Sequence, residues 1–188
     1  MILYWIISYF IGNLMTAWWV GKRNQIDLRE FRSGNLGARN AGAVIGKGAF
    51  FLTFLGDASK GIFTILAGYY FQFDSWIIAV AGLFVISGHL YPFWLKGKGG
   101  KGIATFIGVG LAYSPFLFVA FIVGCAVFIP LLRSATLGMF FGYVSYIVFI
   151  VTLDEIINAW PIILAIILIV YRHRFDFQKS LAKIKNRK

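Results

Sequence analysis

Apolar residues form long uninterrupted runs along this chain, and short polar segments separate them. A helix needs about 20 apolar residues to cross the hydrocarbon core of a bilayer. Runs of that length cover residues 2–20, 50–71 and 76–95, and two shorter runs cover 137–153 and 156–171. The pattern predicts an all-α integral membrane protein.

The apolar stretch 103–132 decides the number of spans. As one helix, its 30 residues would measure about 45 Å, against a hydrocarbon core of about 30 Å. Proline disfavours helix at the preceding residue, so we expect a break at Ser114-Pro115. The arm 103–113 is then too short to cross fully, and such an element must be covered by protein or line a water-filled cavity.

The distribution of charge favours this break. With it, the chain has about seven transmembrane helices, an N-terminus outside and a cytoplasmic C-terminus, and every Lys and Arg except Lys60 lies on the cytoplasmic side. Without it, the basic tail falls opposite the loop at 96–101. We therefore expect 1–188 to form a single polytopic membrane domain that ends in a basic cytoplasmic tail, 172–188.

The composition agrees with a lipid environment. Hydrophobic residues make up 60% of the chain and charged residues 13%, against roughly 45–50% and about 25% in soluble domains. The net charge of +11 would suggest a nucleic-acid partner in a soluble protein, but here the positive-inside rule accounts for it. Two histidines and the lone Cys125 offer neither a metal site nor a disulfide, and no cofactor is expected.

The first unusual cytoplasmic segment, 32–48, combines glycines, small polar side chains and cations. Glycine adopts positive φ freely, which lets backbone N–H groups converge on an anion, and arginine binds phosphate oxygens in a fork. An ordinary basic loop explains this segment equally well when it is taken alone. The candidate phosphate-binding residues are Ser33, Gly34, Asn35, Gly37, Arg39 and Asn40.

The second segment, 88–102, carries His89 and then three lysines and four glycines immediately before a helix predicted to begin at Ile103. Free N–H groups and the dipole of a helix N-terminus attract anions. We prefer a phosphate site to a basic turn that contacts lipid headgroups. Its candidate residues are His89, Lys98, Gly99, Gly100 and Lys101.

Further candidates lie at other cytoplasmic ends and within the membrane. His173 and Arg174 follow the last span, where the positive-inside rule alone would explain the charge. Arg133 and Ser134 lie at an inner turn and would extend a basic site. Inside the membrane, Asp57 and Lys60 are three residues apart on one helix face, and a structural ion pair is as good an interpretation as a catalytic role.

Covalent chemistry finds no support in the sequence. His89 and His173 are followed five residues later by Trp94 and Gln178, so there is no H-x-x-x-x-D acyltransferase pattern. There is no G-x-S-x-G nucleophile elbow either.

In combination, these motifs resemble the PlsY family of acyl-phosphate:glycerol-3-phosphate acyltransferases of bacterial membranes. The resemblance runs from about residue 11 to 176, with the motifs in the family's order. It is carried by Ser33-Gly34-Asn35-x-Gly37-Ala38-x-Asn40, Asp57-x-x-Lys60-Gly61, Gly88-His89-x-x-Pro92, Lys98-Gly99-Gly100-Lys101-Gly102-x-Ala104-Thr105, Arg133-Ser134 and His173-Arg174.

The resemblance implies a reaction and a location. A fatty acyl group would pass from acyl phosphate to the 1-hydroxyl of glycerol 3-phosphate, giving lysophosphatidic acid and phosphate, the first step of phospholipid synthesis. Ser33, Lys98, Lys101, His89 and His173 would order the phosphates and the reacting hydroxyl. The active site would face the cytoplasm from the bacterial cell membrane, amid membrane lipid, and a soluble enzyme that makes acyl phosphate is a candidate partner.

Three positions depart from the family pattern. Ala43 stands where the family usually has Arg, and Arg39 stands where it usually has Thr. On a helix these two positions share a face, so Arg39 is a candidate replacement for the missing cation. Asp176 stands where the family has Asn, and a carboxylate repels phosphate unless a cation such as Arg174 neutralises it.

Two other functions stay open at this point. A divergent relative with little activity would bind a phosphorylated lipid or a partner enzyme. A small transporter for an organic phosphate should have charged or broken helices at mid-membrane in both halves, whereas the polar residues here gather at one face.

Overall fold

The computed structural model describes residues 1–185, and every regular element in them is helical. The three C-terminal residues of the predicted tail, 186–188, lie outside the described part. The helices are α1 (Ile2–Gly12), α2 (Thr16–Arg23), α3 (Ala38–Val44), α4 (Lys47–Tyr70), α5 (Ser75–Leu90), α6 (Ile103–Tyr113), α7 (Pro115–Leu132), α8 (Ala135–Thr152), α9 (Ile156–Arg172) and α10 (Arg174–Lys185). The prediction of an all-helical fold is confirmed.

Within residues 1–185, four helices are long and apolar enough to cross a membrane. These are α4, α5 with the short turn that follows it, α7 and α8. The pair α9 and α10 adds a fifth if it counts as one span, although it is bent by 62°. Large apolar side chains such as Phe63, Leu131 and Ile157 are exposed on the outside of the bundle, as expected where lipid is the solvent.

The predicted break in the stretch 103–132 is confirmed. Helix α6 ends at Tyr113, Ser114 is extended with φ −155°, and α7 begins at Pro115. The Ser114 hydroxyl accepts a hydrogen bond from the Leu117 N–H at 3.3 Å, so a side chain replaces the helical partner that the break removes. Proline suits the first helical position because its missing N–H has no partner there anyway.

Helix α6 is short, and the protein covers it. It packs against α4 through glycines on both helices. A Cβ on Gly108 would collide with the backbone of Ala58, and one on Gly61 would approach the Thr105 carbonyl oxygen to 2.5 Å. The backbones therefore come closer than side chains would allow, as is common between helices in membranes.

The first apolar run differs from the prediction of one continuous span. Helix α1 ends at Gly12 and α2 begins at Thr16. The Asn13 amide nitrogen donates to the Tyr9 carbonyl at 2.7 Å, and its amide oxygen accepts from the Phe93 N–H at 2.9 Å. These hydrogen bonds need a polar side chain. The helix is interrupted here, and Asn13 attaches the chain to the turn after α5.

Helix α5 lies at the centre of the bundle, packed against α1, α4, α6 and α9. Its contact with α1 is close: a Cβ on Gly12 would lie 3.0 Å from both the Gly88 Cα and the His89 nitrogen. Ile78, Val85 and other side chains of α5 are fully buried in the main apolar core. Helix α5, whose last turn carries His89, is thereby fixed among four other helices.

Enlarging Gly108 should destabilise the protein, because the added methyl group has no space against Ala58. We expect Gly108→Ala to lower the free energy of unfolding by about 1–3 kcal/mol, the usual cost of overpacking. Gly48→Ala is the matched control, since a Cβ there meets nothing within 4 Å. Reversible unfolding in detergent would measure both variants, and equal stability of the two would contradict the close packing of α4 and α6.

Candidate active site

A buried charge network occupies the gap between α1 and α2. The Lys60 ammonium donates to the carbonyl oxygens of Gly12 at 3.1 Å and Leu14 at 2.9 Å, and to Asp57 Oδ1 at 3.1 Å. Asp57 also accepts from the Thr16 hydroxyl at 3.2 Å. Lys60 is 5% exposed and Asp57 1%. The pair is therefore a structural ion pair that also satisfies carbonyls freed by the helix break, as buried charges in membranes require.

His89 joins this network to the first and second segments. Its side chain is buried, with Nδ1 2.8 Å from Lys60 Nζ and 3.6 Å from Asp57 Oδ1. The other ring nitrogen, Nε2, lies against Gly100, where any Cβ would collide with it. That Cβ would also lie 2.8 Å from the Leu36 carbonyl oxygen. The first and second segments thus meet beside His89.

The glycine-rich part of the second segment, residues 96–102 and called the glycine segment below, folds back along the end of α5. Its amides at positions 97, 98, 99 and 100 donate to the carbonyls of Pro92, Leu95, Leu90 and His89. These N–H groups are therefore already used, and Gly99 and Gly100 supply close backbone approach instead of free donors. The amides open to an anion are those of the first turn of α6, because that turn has no preceding helical carbonyls.

In the first segment, Asn40 positions the loop from inside. It is buried, its amide nitrogen donates to the Leu28 carbonyl at 2.9 Å, and its amide oxygen accepts from the Ser33 N–H at 3.4 Å. The Ser33 side chain is exposed and makes no hydrogen bond within residues 1–185. Gly34 has φ +64°, a conformation that glycine adopts without strain. The segment is thus a shaped loop with its hydroxyl facing outward.

Arg39 and Ala43 both lie on α3, and both are exposed. The expectation that these positions share a helix face is confirmed by the helical geometry of 38–44. Whether Arg39 takes the place of the family's cation stays a prediction.

The end of α9 contributes a residue that the sequence analysis missed. Arg172 donates to the Gly99 carbonyl at 3.3 Å, and its guanidinium lies 5.3 Å from the centre of the Tyr91 ring. The predicted Arg174 instead lies exposed against the rings of Tyr171 and Phe175. Helical periodicity could have identified Arg172, because it follows an apolar position, 169, by three residues and so shares its face.

Lys101 and Asp176 form an ion pair between the second segment and α10. A residue that departs from the family pattern therefore neutralises one of the predicted phosphate-binding cations. Neither side chain is fully buried, with 27% and 36% exposed. The pair is accessible to water, so an incoming phosphate can compete for it.

His173 lies in the tail beyond the last span and next to this pair. Its Nδ1 is 2.9 Å from the Ile169 carbonyl oxygen. Burial lowers the pKa of His173 below its usual value, the Ile169 carbonyl and Asp176 oppose this shift, and the charges of Lys101 and Arg172 add to it. The lowered pKa favours a neutral ring at neutral pH. Since a carbonyl only accepts hydrogen bonds, Nδ1 carries the proton and Nε2 is free to accept one.

The predicted residues at the turn between α7 and α8 stand apart. Ser134 caps α8 by accepting from the Leu137 N–H at 3.4 Å, and Arg133 is exposed with φ +47°. Within residues 1–185, no hydrogen bond or ion pair joins either side chain to the rest of the site. Lys98 is exposed and likewise makes no side-chain bond there.

Comparison with known proteins gives the family. The sequence profile described as Glycerol-3-phosphate acyltransferase matches residues 2–183. The chain belongs to the glycerol-3-phosphate acyltransferase family. The glycerol-3-phosphate acyltransferase of Listeria monocytogenes is 32% identical over 189 residues, which cover 99% of this chain and 93% of that protein. Glycerol-3-phosphate acyltransferase 1 of Bacillus cereus is 44% identical over 135 residues, 71% of this chain and 74% of that protein.

Solved structures of a glycerol-3-phosphate acyltransferase have the same fold. The crystal structure of PlsY, an integral membrane glycerol 3-phosphate acyltransferase, in its glycerol 3-phosphate form matches with a TM-score of 0.88 at 30% identity, covering 97% of this chain and 92% of that chain. Its lysophosphatidic acid form matches with a TM-score of 0.83. The predicted PlsY family and all-α integral membrane fold are confirmed; the number of spans and the orientation of the termini stay predictions.

Removing the Arg172 guanidinium should reduce glycerol-3-phosphate acyltransferase activity. A hydrogen bond to a charged group contributes about 1.5–3 kcal/mol, so Arg172→Gln should lower kcat/KM by about 10- to 100-fold as the glycine segment loses its anchor. Arg174→Gln provides the comparison, and we expect a smaller loss because, within residues 1–185, its guanidinium contacts Tyr171 and Phe175 instead of the glycine segment. A larger loss of kcat/KM in Arg174→Gln than in Arg172→Gln would show that Arg174, the residue predicted from the sequence, is the one that matters for activity.

Proposed function

We propose that this protein transfers a fatty acyl group from acyl phosphate to the 1-hydroxyl of glycerol 3-phosphate, with lysophosphatidic acid and phosphate as products. The observation that carries the proposal is the convergence of three distant segments at one end of α5. The first segment, through Leu36, meets the second segment there, at His89 and Gly100. Lys101 of the second segment and Arg172 from the end of α9 add cations at the same place. Both substrates carry phosphate, which a cluster of cations and open helix amides binds well.

The reaction needs no covalent enzyme intermediate, because phosphate is a good leaving group. The 1-hydroxyl oxygen attacks the acyl carbonyl carbon, the bond from that carbon to the phosphate oxygen breaks, and the hydroxyl proton must leave. His173 is the side chain best suited to accept it, since its ring is neutral and Nε2 is unprotonated. The donor's own phosphate is the alternative acceptor.

The remaining catalytic effect would come from position and charge. Lys101 would bind phosphate once Asp176 is displaced, and the exposed hydroxyl of Ser33 would order a second phosphate. Lys98, Arg39, Arg133 and Arg174 are exposed cations that would raise the local concentration of anionic substrates. Neutralising charge that develops in the transition state is commonly the largest contribution to such a reaction.

The two proposed substrates would reach the site from different solvents, water and lipid. We propose that it faces the cytoplasm from the bacterial cell membrane, so that glycerol 3-phosphate arrives from water while the acyl chain stays in lipid. The exposed basic face would also suit docking by a soluble enzyme that makes acyl phosphate. Family membership disfavours the phosphate transporter and the inactive binding protein as alternatives.

Turnover in a purified system tests the proposal. The protein in lipid nanodiscs, supplied with acyl phosphate and glycerol 3-phosphate, should release inorganic phosphate and lysophosphatidic acid at equal rates, and acyl-CoA should fail as donor. Lys101→Ala should lower kcat/KM by about 100-fold or more, as expected for a cation that contacts the reacting phosphate. Phosphate release without lysophosphatidic acid would contradict acyl transfer and indicate hydrolysis.

Asp176 should weaken substrate binding, because it competes with phosphate for Lys101. Exposed ion pairs contribute about 0.2–1 kcal/mol, so Asp176→Asn should lower the KM for a phosphate substrate by about twofold to fivefold. Asp27→Asn is the matched control, since Asp27 pairs with Arg29, an exposed cation that is not among the predicted phosphate-binding residues. A higher KM in Asp176→Asn would show that the carboxylate assists binding.

A further inference from the structure

Four groups surround the Lys60 nitrogen within hydrogen-bond distance. Two are backbone carbonyl oxygens, of Gly12 and Leu14, and one is Asp57 Oδ1. The fourth is His89 Nδ1, at 2.8 Å. The first three can only accept hydrogen bonds, and three N–H donors to satisfy them are present on the nitrogen only when it is an ammonium.

An ammonium group fixes the state of the imidazole next to it. It has three N–H donors and no lone pair, so four acceptors must share three hydrogens, with one N–H divided between two of them. A protonated Nδ1 facing the ammonium would be repelled, so the contact with His89 is favourable only if Nδ1 accepts. In a neutral imidazole one nitrogen carries the proton and the other accepts. The proton of His89 must then be on Nε2.

We infer that Lys60 and Asp57 are positioning residues that hold His89 in the Nε2–H form, so that His89 donates a hydrogen bond to a phosphate oxygen beside Gly100. The identity of that phosphate, on either substrate, rests on the proposed function. His89 is thus a donor to bound phosphate and does not accept the hydroxyl proton.

The surroundings of Nε2 support a bound acceptor. His89 is 2% exposed, and a buried N–H without a partner costs free energy. Within residues 1–185, Nε2 makes no hydrogen bond, and it is not among the fully buried polar atoms that lack a partner, so part of its surface remains accessible to an acceptor. Because Gly100 has no Cβ, its backbone packs directly against the Nε2 side of the ring, and the Gly100 N–H donates to the His89 carbonyl, which fixes loop and ring together.

His173 provides an internal reference, because its proton lies on Nδ1 instead of Nε2. Nδ1 of His173 lies 2.9 Å from a carbonyl oxygen, which requires the proton on Nδ1. The chain has two histidines, so a nitrogen-15 spectrum of histidine-labelled protein contains one ring of each kind. His173→Gln assigns the signals by removing one set.

Nitrogen-15 NMR of the protein in nanodiscs tests the inference without any turnover. We expect His89 as the Nε2–H form and its Nε2 signal to shift on addition of glycerol 3-phosphate or inorganic phosphate. Lys60→Met should move the proton of His89 to Nδ1, where Asp57 at 3.6 Å becomes the nearest acceptor. Thr53→Val, which alters a buried hydroxyl of α4 without a partner in the described residues, should leave the tautomer unchanged.

A wild-type spectrum with His89 in the Nδ1–H form would overturn the inference, as would an unchanged tautomer in Lys60→Met. An unchanged His173 signal reports that each variant is folded, and Lys60→Leu, which also has no donor, replaces Lys60→Met if it is not. His89→Gln, whose amide can still donate, should retain at least about 10-fold more activity than His89→Phe, because a charge-assisted bond contributes about 1.5–3 kcal/mol. If acyl transfer is absent but the tautomers are as stated, the proposed function fails and the positioning role stands.

Discussion

The buried ammonium of Lys60 constrains much of this structure. A charge inside a membrane protein requires partners, and three of those used here are a carboxylate on its own helix and two backbone carbonyls of another segment. Those carbonyls become available only because the first apolar run is broken between Gly12 and Thr16. The break is therefore part of the site, because it supplies the acceptors that hold a cation beside His89.

The same region joins membrane helices to polar loops. Asn13, at the break, bonds to the turn after α5, and His89, at the end of α5, contacts the glycine segment. Arg172, at the end of α9, donates to that segment from the other side. Loops that would be mobile alone are thus attached to helix ends, which gives a binding site the fixed geometry that catalysis by positioning needs.

The sequence predicted the features that follow from solvent and backbone chemistry. Most helix lengths, the break before Pro115 and the family could be predicted, because apolar runs, proline and motif spacing can be read from neighbouring residues. The break at Asn13 was not, since it depends on a partner 80 residues away. Arg172 was overlooked in favour of Arg174 because both are basic and adjacent to the last span. Only the direction in which each side chain leaves the helix distinguishes them. The pairing of Lys101 with Asp176 likewise needed the fold.

The glycine contacts between α1 and α5 and between α4 and α6 have a consequence for motion. Backbones in direct contact leave no free volume, so sliding one helix past another would produce either collisions or voids. The two pairs of helices should therefore behave as a rigid body during turnover. Entry and exit of substrates then falls to the periphery, above all to α10, which has no buried side chain and is tied to the glycine segment by one water-accessible ion pair.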